Sequence, residues 1–163
     1  MRKAIFLDRD GVINQERGDY TYRIDQFHFN PGVFEALNRA QEKGYMLFII
    51  TNQGGIAKRR YKHEDVDRLH DYMLRELKKH GIHIQEVYYC PHHSDTENCL
   101  CRKPKPLLIE KAVARFRINP VASFFVGDRD RDVEAAERAR MKGIKINSND
   151  NLNDYFSQII PGY

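Results

Sequence analysis

Apolar positions along the chain fall into two alternating patterns. Short continuous runs, Lys3 to Leu7 and Tyr45 to Ile50, read as strands, and the second has the continuous apolar character of one buried on both faces. Between them Val33, Phe34, Leu37 and Ala40 recur at helical spacing, opened by Pro31-Gly32 and stopped by Gly44. A second helix is predicted from Lys62 to His80, with Val66, Leu69, Met73 and Leu77 on one stripe and Gly81 at its end. Ile84, Val87 and Tyr89 predict a third strand, Leu107 to Phe116 a third helix, and Ser123 to Val126 a fourth strand. Asp130 to Met141 reads as helix, with Val133, Ala136 and Arg140 spaced by three and four and Gly143 as its stop. Ile144 to Ile146 then predicts a fifth strand. Strand and helix alternate throughout, which predicts an α/β fold: a Rossmann-like parallel sheet with helices on both faces. Asn14 to Asn30 and Cys90 to Cys101 carry no such pattern, and the tail from Asn147 to Tyr163 has no assigned role.

Composition narrows the class. The 163 residues suit one domain, 41% are apolar and 31% charged, and this excludes disorder throughout. The apolar runs fall far short of the roughly 20 residues a bilayer span requires, so no membrane contact is expected. The opening Met-Arg-Lys-Ala-Ile-Phe-Leu-Asp is too short in apolar residues for a signal peptide, and a cytoplasmic protein is expected. The formal charge of +4 is mild and suits an anionic ligand. Three cysteines within twelve residues do not make a disulfide framework.

In parallel sheets ligands bind at the carboxyl ends of the strands. Those ends carry Asp8-Arg9-Asp10-Gly11, then Thr51-Asn52-Gln53-Gly54-Gly55, then the cysteine cluster followed by Arg102-Lys103-Pro104, then Gly127-Asp128-Arg129-Asp130-Arg131-Asp132. These residue types suit phosphoryl transfer. Of two acids at i and i+2, one can attack phosphorus and the other can protonate the leaving alcohol and then activate water. A carboxylate approaching a phosphate dianion is repelled, and Mg2+ held by Asp8 with Asp128 as the second carboxylate would relieve that. Thr51 can hydrogen-bond a phosphoryl oxygen, Lys103 can neutralise its charge, and Gly54 and Gly55 can let backbone amides approach an anion. Each piece alone has a plainer reading. Asp-x-Asp is commonly a turn or cap, Arg102-Lys103 a solvated face, and Asp130 a helix N-cap. Asp132 could support the metal through water or only favour a helix N-terminus. The ordered set at successive strand ends is far more specific than any member.

That set resembles the four motifs of the haloacid dehalogenase-like phosphatases. Phe6-Leu-Asp-Arg-Asp-Gly-Val-Ile is similar to the first, Ile50-Thr-Asn-Gln to the second, Arg102-Lys103-Pro104 to the third and Val126-Gly-Asp-Arg to the fourth. The resemblance implies that Asp8 is the nucleophile and Asp10 the general acid/base. It also implies that Asp10 binds Mg2+ through its backbone carbonyl and Asp128 through its carboxylate. Thr51 and Lys103 would stabilise the phosphoryl group. Asn52, Gln53, Gly54, Arg102 and Arg129 complete the candidate substrate-binding set.

Cys90, Cys99 and Cys101 with one histidine offer three thiolates and one imidazole, a tetrahedral Zn2+ donor set. His92 and His93 both stand near enough, and the family pattern favours His92. Four protein ligands close the site, so the zinc is expected to be structural and to place Arg102 and Lys103. Within the family this loop resembles phosphatases of D-glycero-D-manno-heptose 1,7-bisphosphate and of histidinol phosphate. Thr51 to Ala57 and Val87 to His93 are closer to the first, and the short gap from His92 to Cys99 is closer to the second. The basic clusters Lys58, Arg59, Arg60, Lys62 and Arg102, Lys103, Lys105 suit a bisphosphate, whereas Glu16 and Asp19 could meet the amine of histidinol.

The main expectation is removal of the 7-phosphate of the heptose bisphosphate through an aspartyl-phosphate. The alternative is histidinol-phosphate hydrolysis by the same chemistry. A reading of another class, a zinc-containing nucleic-acid-binding protein, lacks aromatic residues interleaved with the basic run. The partner is therefore expected to be a small phosphorylated molecule rather than nucleic acid, and the protein a monomer. Residues 1–163 are read as one domain with the zinc loop 90–101 inserted. Only 40 residues separate Asp10 from Thr51, which leaves no room for a cap.

Overall fold

The computed structural model describes residues 1–163. Strands β1 (Ala4–Leu7), β2 (Met46–Asn52), β3 (Ile84–Cys90), β4 (Phe124–Gly127) and β5 (Lys142–Lys145) form one parallel sheet in the order β3-β2-β1-β4-β5. Helices α1 (Val33–Glu42), α2 (His63–Lys79), α3 (Leu107–Phe116) and α4 (Asp130–Arg138) form the crossovers, and α5 (Leu152–Ile159) follows β5. The chain order reverses at β1, flanked by β2 and β4, so the crevice beyond the end of β1 is the topological switch point.

Side chains alternate across each strand, so the sheet separates two cores. Ile5, Leu7, Leu47 and Ile49 face α1, α2 and α5, where they pack with Val33, Leu37, Leu69, Met73, Leu152 and Phe156. Ala4, Phe6, Phe48 and Ile50 face α3 and α4, with Ile109, Ala112, Ala135 and Ala136. Phe6 stacks on Phe48 with centroids 4.9 Å apart. No helix is long and apolar enough to cross a membrane.

Four local expectations differ. Helix α4 stops at Arg138 because Arg140, not Gly143, takes the left-handed conformation (φ 59°) that ends the helical run. Gly143 lies inside β5, paired with Phe125, so that strand begins two residues early. The buried stripe of α4 is Asp132, Ala135 and Ala136, while Arg140 is exposed. Asp130 is not the N-cap of α4. Arg129 occupies that position, and its N–H donates to Asp132 Oδ2 at 3.1 Å. The unassigned tail contains α5, whose Leu152 and Phe156 complete the first core.

Candidate active site

The site grows from the strand ends. Asp8 follows β1, and its N–H still donates to Val126 O of β4 at 3.0 Å, which keeps the carboxyl in register with Asp128. On the other side Thr51 and Asn52 pair with Tyr89 and Cys90, so the end of β2 lies against the root of the cysteine loop.

Lys103 is the electrostatic centre. Only 2% exposed, its Nζ contacts Asp8 Oδ1 at 2.9 Å and Asp132 Oδ1 at 2.7 Å and donates to Ile50 O at 2.8 Å. Burial works against its charge, but the Asp132 and Asp8 carboxylates outweigh burial and hold it above the ordinary lysine value. The backbone of Lys103 is fixed in turn by Asn52, whose amide donates to Lys103 O (3.2 Å) and accepts from Lys103 N (3.0 Å). Asn52 borders the cavity, yet its amide is committed to the lysine.

Asp8, Asp128 and Asp132 bring carboxylate oxygens within 4.8 Å of one another. Burial, then the Asp132 and Asp128 charges, push Asp8 up to about 8 despite Lys103. Three buried acids share one buried lysine, with the half-exposed Arg129 guanidinium 3.8 Å from Asp128. Oxygen donors in that balance fit a hard divalent cation. Ser148, from the loop after β5, donates to Asp128 Oδ2.

The second acid is held differently. Asp10 accepts from Arg9 Nε and Nη2 (3.2 and 2.9 Å), Asn14 Nδ2 (3.0 Å) and Gln53 Nε2 (3.2 Å). Burial opposes ionisation, but the Arg9 charge and these bonds keep its carboxyl below the usual range. The Asp10 side chain is 24% exposed and borders the cavity. Gln53 also donates to Thr51 Oγ1 (2.9 Å) and accepts from Tyr61 OH (2.6 Å), so its amide too is engaged within the protein.

Asp8, Asp10, Asp128, Asn52 and Gln53 floor a polar cavity of about 460 Å³, with Thr51, Lys103 and Asp132 buried outside its lining. Arg102, Arg129, Arg131 and His93 line it together with Glu16, Asp19 and Tyr20. Arg102 donates to His92 O (3.1 Å), and burial, then the Arg131 charge beside it, pushes its guanidinium down. Crowded cations of this kind favour an anion between them. Glu16 Oε1 and Asp19 Oδ1 accept from the N–H groups of Gly18 (2.7 Å) and Tyr20 (2.8 Å) in their own turn. The basic run is partly neutralised as well, Lys58 by Asp95 at 3.0 Å and Arg60 by Asp19 at 3.8 Å. The glycines of this wall serve packing. A Cβ on Gly54 would lie 2.8 Å from the His93 ring, and one on Gly55 would strike the Tyr61 ring.

Beside the cavity Cys90, His92, Cys99 and Cys101 converge. Cys90 Sγ lies 2.8 Å from Cys101 Sγ and 3.7 Å from Cys99 Sγ, and His92 Nδ1 is 3.5 and 3.3 Å from Cys90 and Cys101. Three sulfurs and one imidazole nitrogen around one point are a zinc donor set. Arg102 N donates to Cys99 Sγ at 3.3 Å, a direct tie to the cavity wall. His93 stands apart, facing the cavity and accepting from Asp95 N at 3.0 Å.

Sequence reasoning did not single out Ser148 and Asn149. Asn149 (φ 69°) donates its N–H to Gly11 O, and its amide grips both the N–H and the carbonyl of Glu16 (2.6 and 3.0 Å). The only available signal was an Asn/Ser-rich turn directly after the fifth strand.

Known proteins resemble this chain in sequence and in fold. A Campylobacter jejuni protein named D-glycero-alpha-D-manno-heptose-1,7-bisphosphate 7-phosphatase is 43% identical over 157 residues, 96% of this chain and 89% of that one. A Pasteurella multocida protein named as the corresponding beta-heptose 7-phosphatase is 41% identical over 147 residues, 87% of this chain and 79% of its own. The crystal structure of a D,D-heptose 1,7-bisphosphate phosphatase from B. bronchiseptica, complexed with magnesium and phosphate, superposes with a TM-score of 0.84 at 30% identity, covering 96% of this chain and 86% of that one. The sequence model of the haloacid dehalogenase-like hydrolases matches residues 8–146, and the chain belongs to that family.

Proposed function

We propose that this hydrolase is a phosphomonoesterase that removes the 7-phosphate of a D-glycero-D-manno-heptose 1,7-bisphosphate. The observation that carries this reading is the buried Asp8–Lys103–Asp132 cluster, with Asp128 beside it, under a cavity walled by three guanidinium groups. Asp8 attacks phosphorus, and Lys103 and the Thr51 hydroxyl stabilise the phosphoryl oxygens. Asp10, held ionised by Arg9 in the unliganded protein, takes up a proton as the phosphate dianion binds, donates it to the departing sugar oxygen, then takes one from the water that cleaves the aspartyl-phosphate. Asp8, Asp128 and the Asp10 carbonyl would hold Mg2+, with Asp132 close by. When bound, the ion would offset the repulsion between carboxylate and phosphate dianion. Cys90, His92, Cys99 and Cys101 would hold a structural Zn2+ that fixes the loop carrying Arg102. Arg102, Arg129 and Arg131 would receive the phosphate that is not cleaved. We read residues 1–163 as one capless catalytic domain, acting as a cytoplasmic monomer.

Histidinol phosphate would place an amine among those guanidinium groups, and of the two acids that could pair with it, Glu16 gives one oxygen to the Gly18 N–H and Asp19 gives one to the Tyr20 N–H and faces Arg60 at 3.8 Å. Comparing kcat/KM on the two substrates tests this. The heptose bisphosphate should be preferred by more than about tenfold, or about 1.4 kcal/mol of transition-state discrimination. Equal values, or a preference for histidinol phosphate, would overturn the substrate assignment.

A further inference from the structure

Arg9, between the two acids, is the largest wholly buried side chain of the protein. Its guanidinium forks onto Asp10, and Nη2 also donates to Thr21 O at 2.7 Å. Nη1 faces His70 Nε2 at 3.1 Å. A guanidinium has donors only, so His70 accepts here as a neutral ring with its proton on Nδ1. Burial, then the Arg9 charge, lowers the His70 pKa to about 3, in keeping with that form. His70 lies on α2, outside the motif residues, and its ring sits edge-on to Tyr89 with centroids 5.7 Å apart. Tyr89 is itself fixed by His63 and Asp67, at 2.8 and 3.2 Å. A chain of contacts therefore runs from the outer face of α2 to the carboxyl of Asp10. Without His70, one buried N–H of Arg9 loses its acceptor, a cost the guanidinium would relieve by turning and taking Asp10 with it.

We propose that His70 is a positioning residue for the reaction, fixing the Arg9 guanidinium so that it aims the Asp10 carboxyl at the leaving oxygen. This rests on the reading of Asp10 as the general acid/base. The test compares His70→Leu, His70→Gln, Asp10→Asn and the His70→Leu/Asp10→Asn pair, each with Mg2+, on heptose 1,7-bisphosphate and p-nitrophenyl phosphate. On the sugar phosphate, His70→Leu should lower kcat about 30-fold with KM within about twofold, the cost of misplacing a catalytic group. First-turnover release of p-nitrophenolate should fall no more than about threefold, because that group departs without a proton. His70→Gln, whose amide oxygen can accept from Arg9, should recover most of the loss. In the Asp10→Asn background His70→Leu should have no further effect. Equal losses on both substrates, a rise in KM matching the fall in kcat, or additive effects in the pair would reduce His70 to a packing residue. If His70→Leu does not fold, the unbranched His70→Met takes its place under the same criteria. Should Asp10→Asn itself cost less than about threefold on the sugar phosphate, the acid/base reading fails and this inference with it. If Asp10→Asn is crippled and His70→Leu is not, only the positioning role fails.

Discussion

Two clusters of candidate ligands lie side by side in this protein and are held by opposite means. Asp8, Lys103, Asp128 and Asp132 come from three separate segments and meet because a parallel sheet carries them to one switch point. Cys90, His92, Cys99 and Cys101 lie within twelve residues on a loop that contains no helix or strand beyond Cys90. The first is buried and braced by backbone pairing, and by Lys103 against two acids. The second has three of its four side chains partly exposed, and its sulfurs and imidazole have mainly one another as partners. Architecture makes the acid cluster, whereas on the proposed reading the cysteine loop takes its shape from a bound Zn2+. Perturbing the first should strike chemistry and stability together; perturbing the second should strike substrate grip.

The sharpest break in that contrast is Lys103→Met. It strands the Asp8 and Asp132 carboxylates, so kcat should fall about 10²–10³-fold and denaturant-measured stability by about 3–5 kcal/mol. Unchanged stability would mean that the lysine does not hold the acids. Stripping zinc with a chelator, or Cys99→Ser, should leave the sheet folded but expose residues 90–101 to protease. With Mg2+ restored, KM should rise about tenfold while kcat stays within about threefold. A collapse in kcat with KM unchanged would give the loop a chemical role. Ser148→Ala removes the hydroxyl bonded to Asp128. Half-saturation by Mg2+ should move about tenfold higher, with kcat recovered at saturation.

The smallest effect is on acid stability. Unfolded, His70 takes up a proton below its ordinary 6.5, but folded it stays neutral down to about 3. Stability from this group is therefore complete above pH 6.5 and falls as pH drops through that window. Near pH 5.5 wild type should have lost about 1.4 kcal/mol more than His70→Gln, in chemical denaturation at matched ionic strength. Parallel stability curves would show the ring to be solvated.

Much of the acid cluster was legible in the sequence, because it sits where apolar runs end. Asp8, Thr51, Lys103 and Asp128 each follow or approach a strand at a readable position. Asp132 was visible as a helix-start acid that could support the metal through water, but its pairing with Lys103 depends on how α4 packs. Asn52 and Gln53 were legible as site residues, but not that their amides serve Lys103 and Asp10. Ser148, Asn149 and the Arg9–His70 contact left almost no trace, because each joins segments distant in sequence through a single side chain. The end of α4 was misread for a local reason: a left-handed arginine did what a glycine usually does.

In the proposed reaction Asp8 carries the phosphoryl group. Rapid-quench samples from a single turnover with heptose 1,7-bisphosphate and Mg2+, reduced with borohydride and mapped by peptide mass, test it most directly. The Asp8 side chain should be reduced to the alcohol, only with substrate present, and not in Asp8→Asn. Reduction at Asp128 or Asp132 instead, or no reduced residue in any sample while phosphate is released, would contradict it.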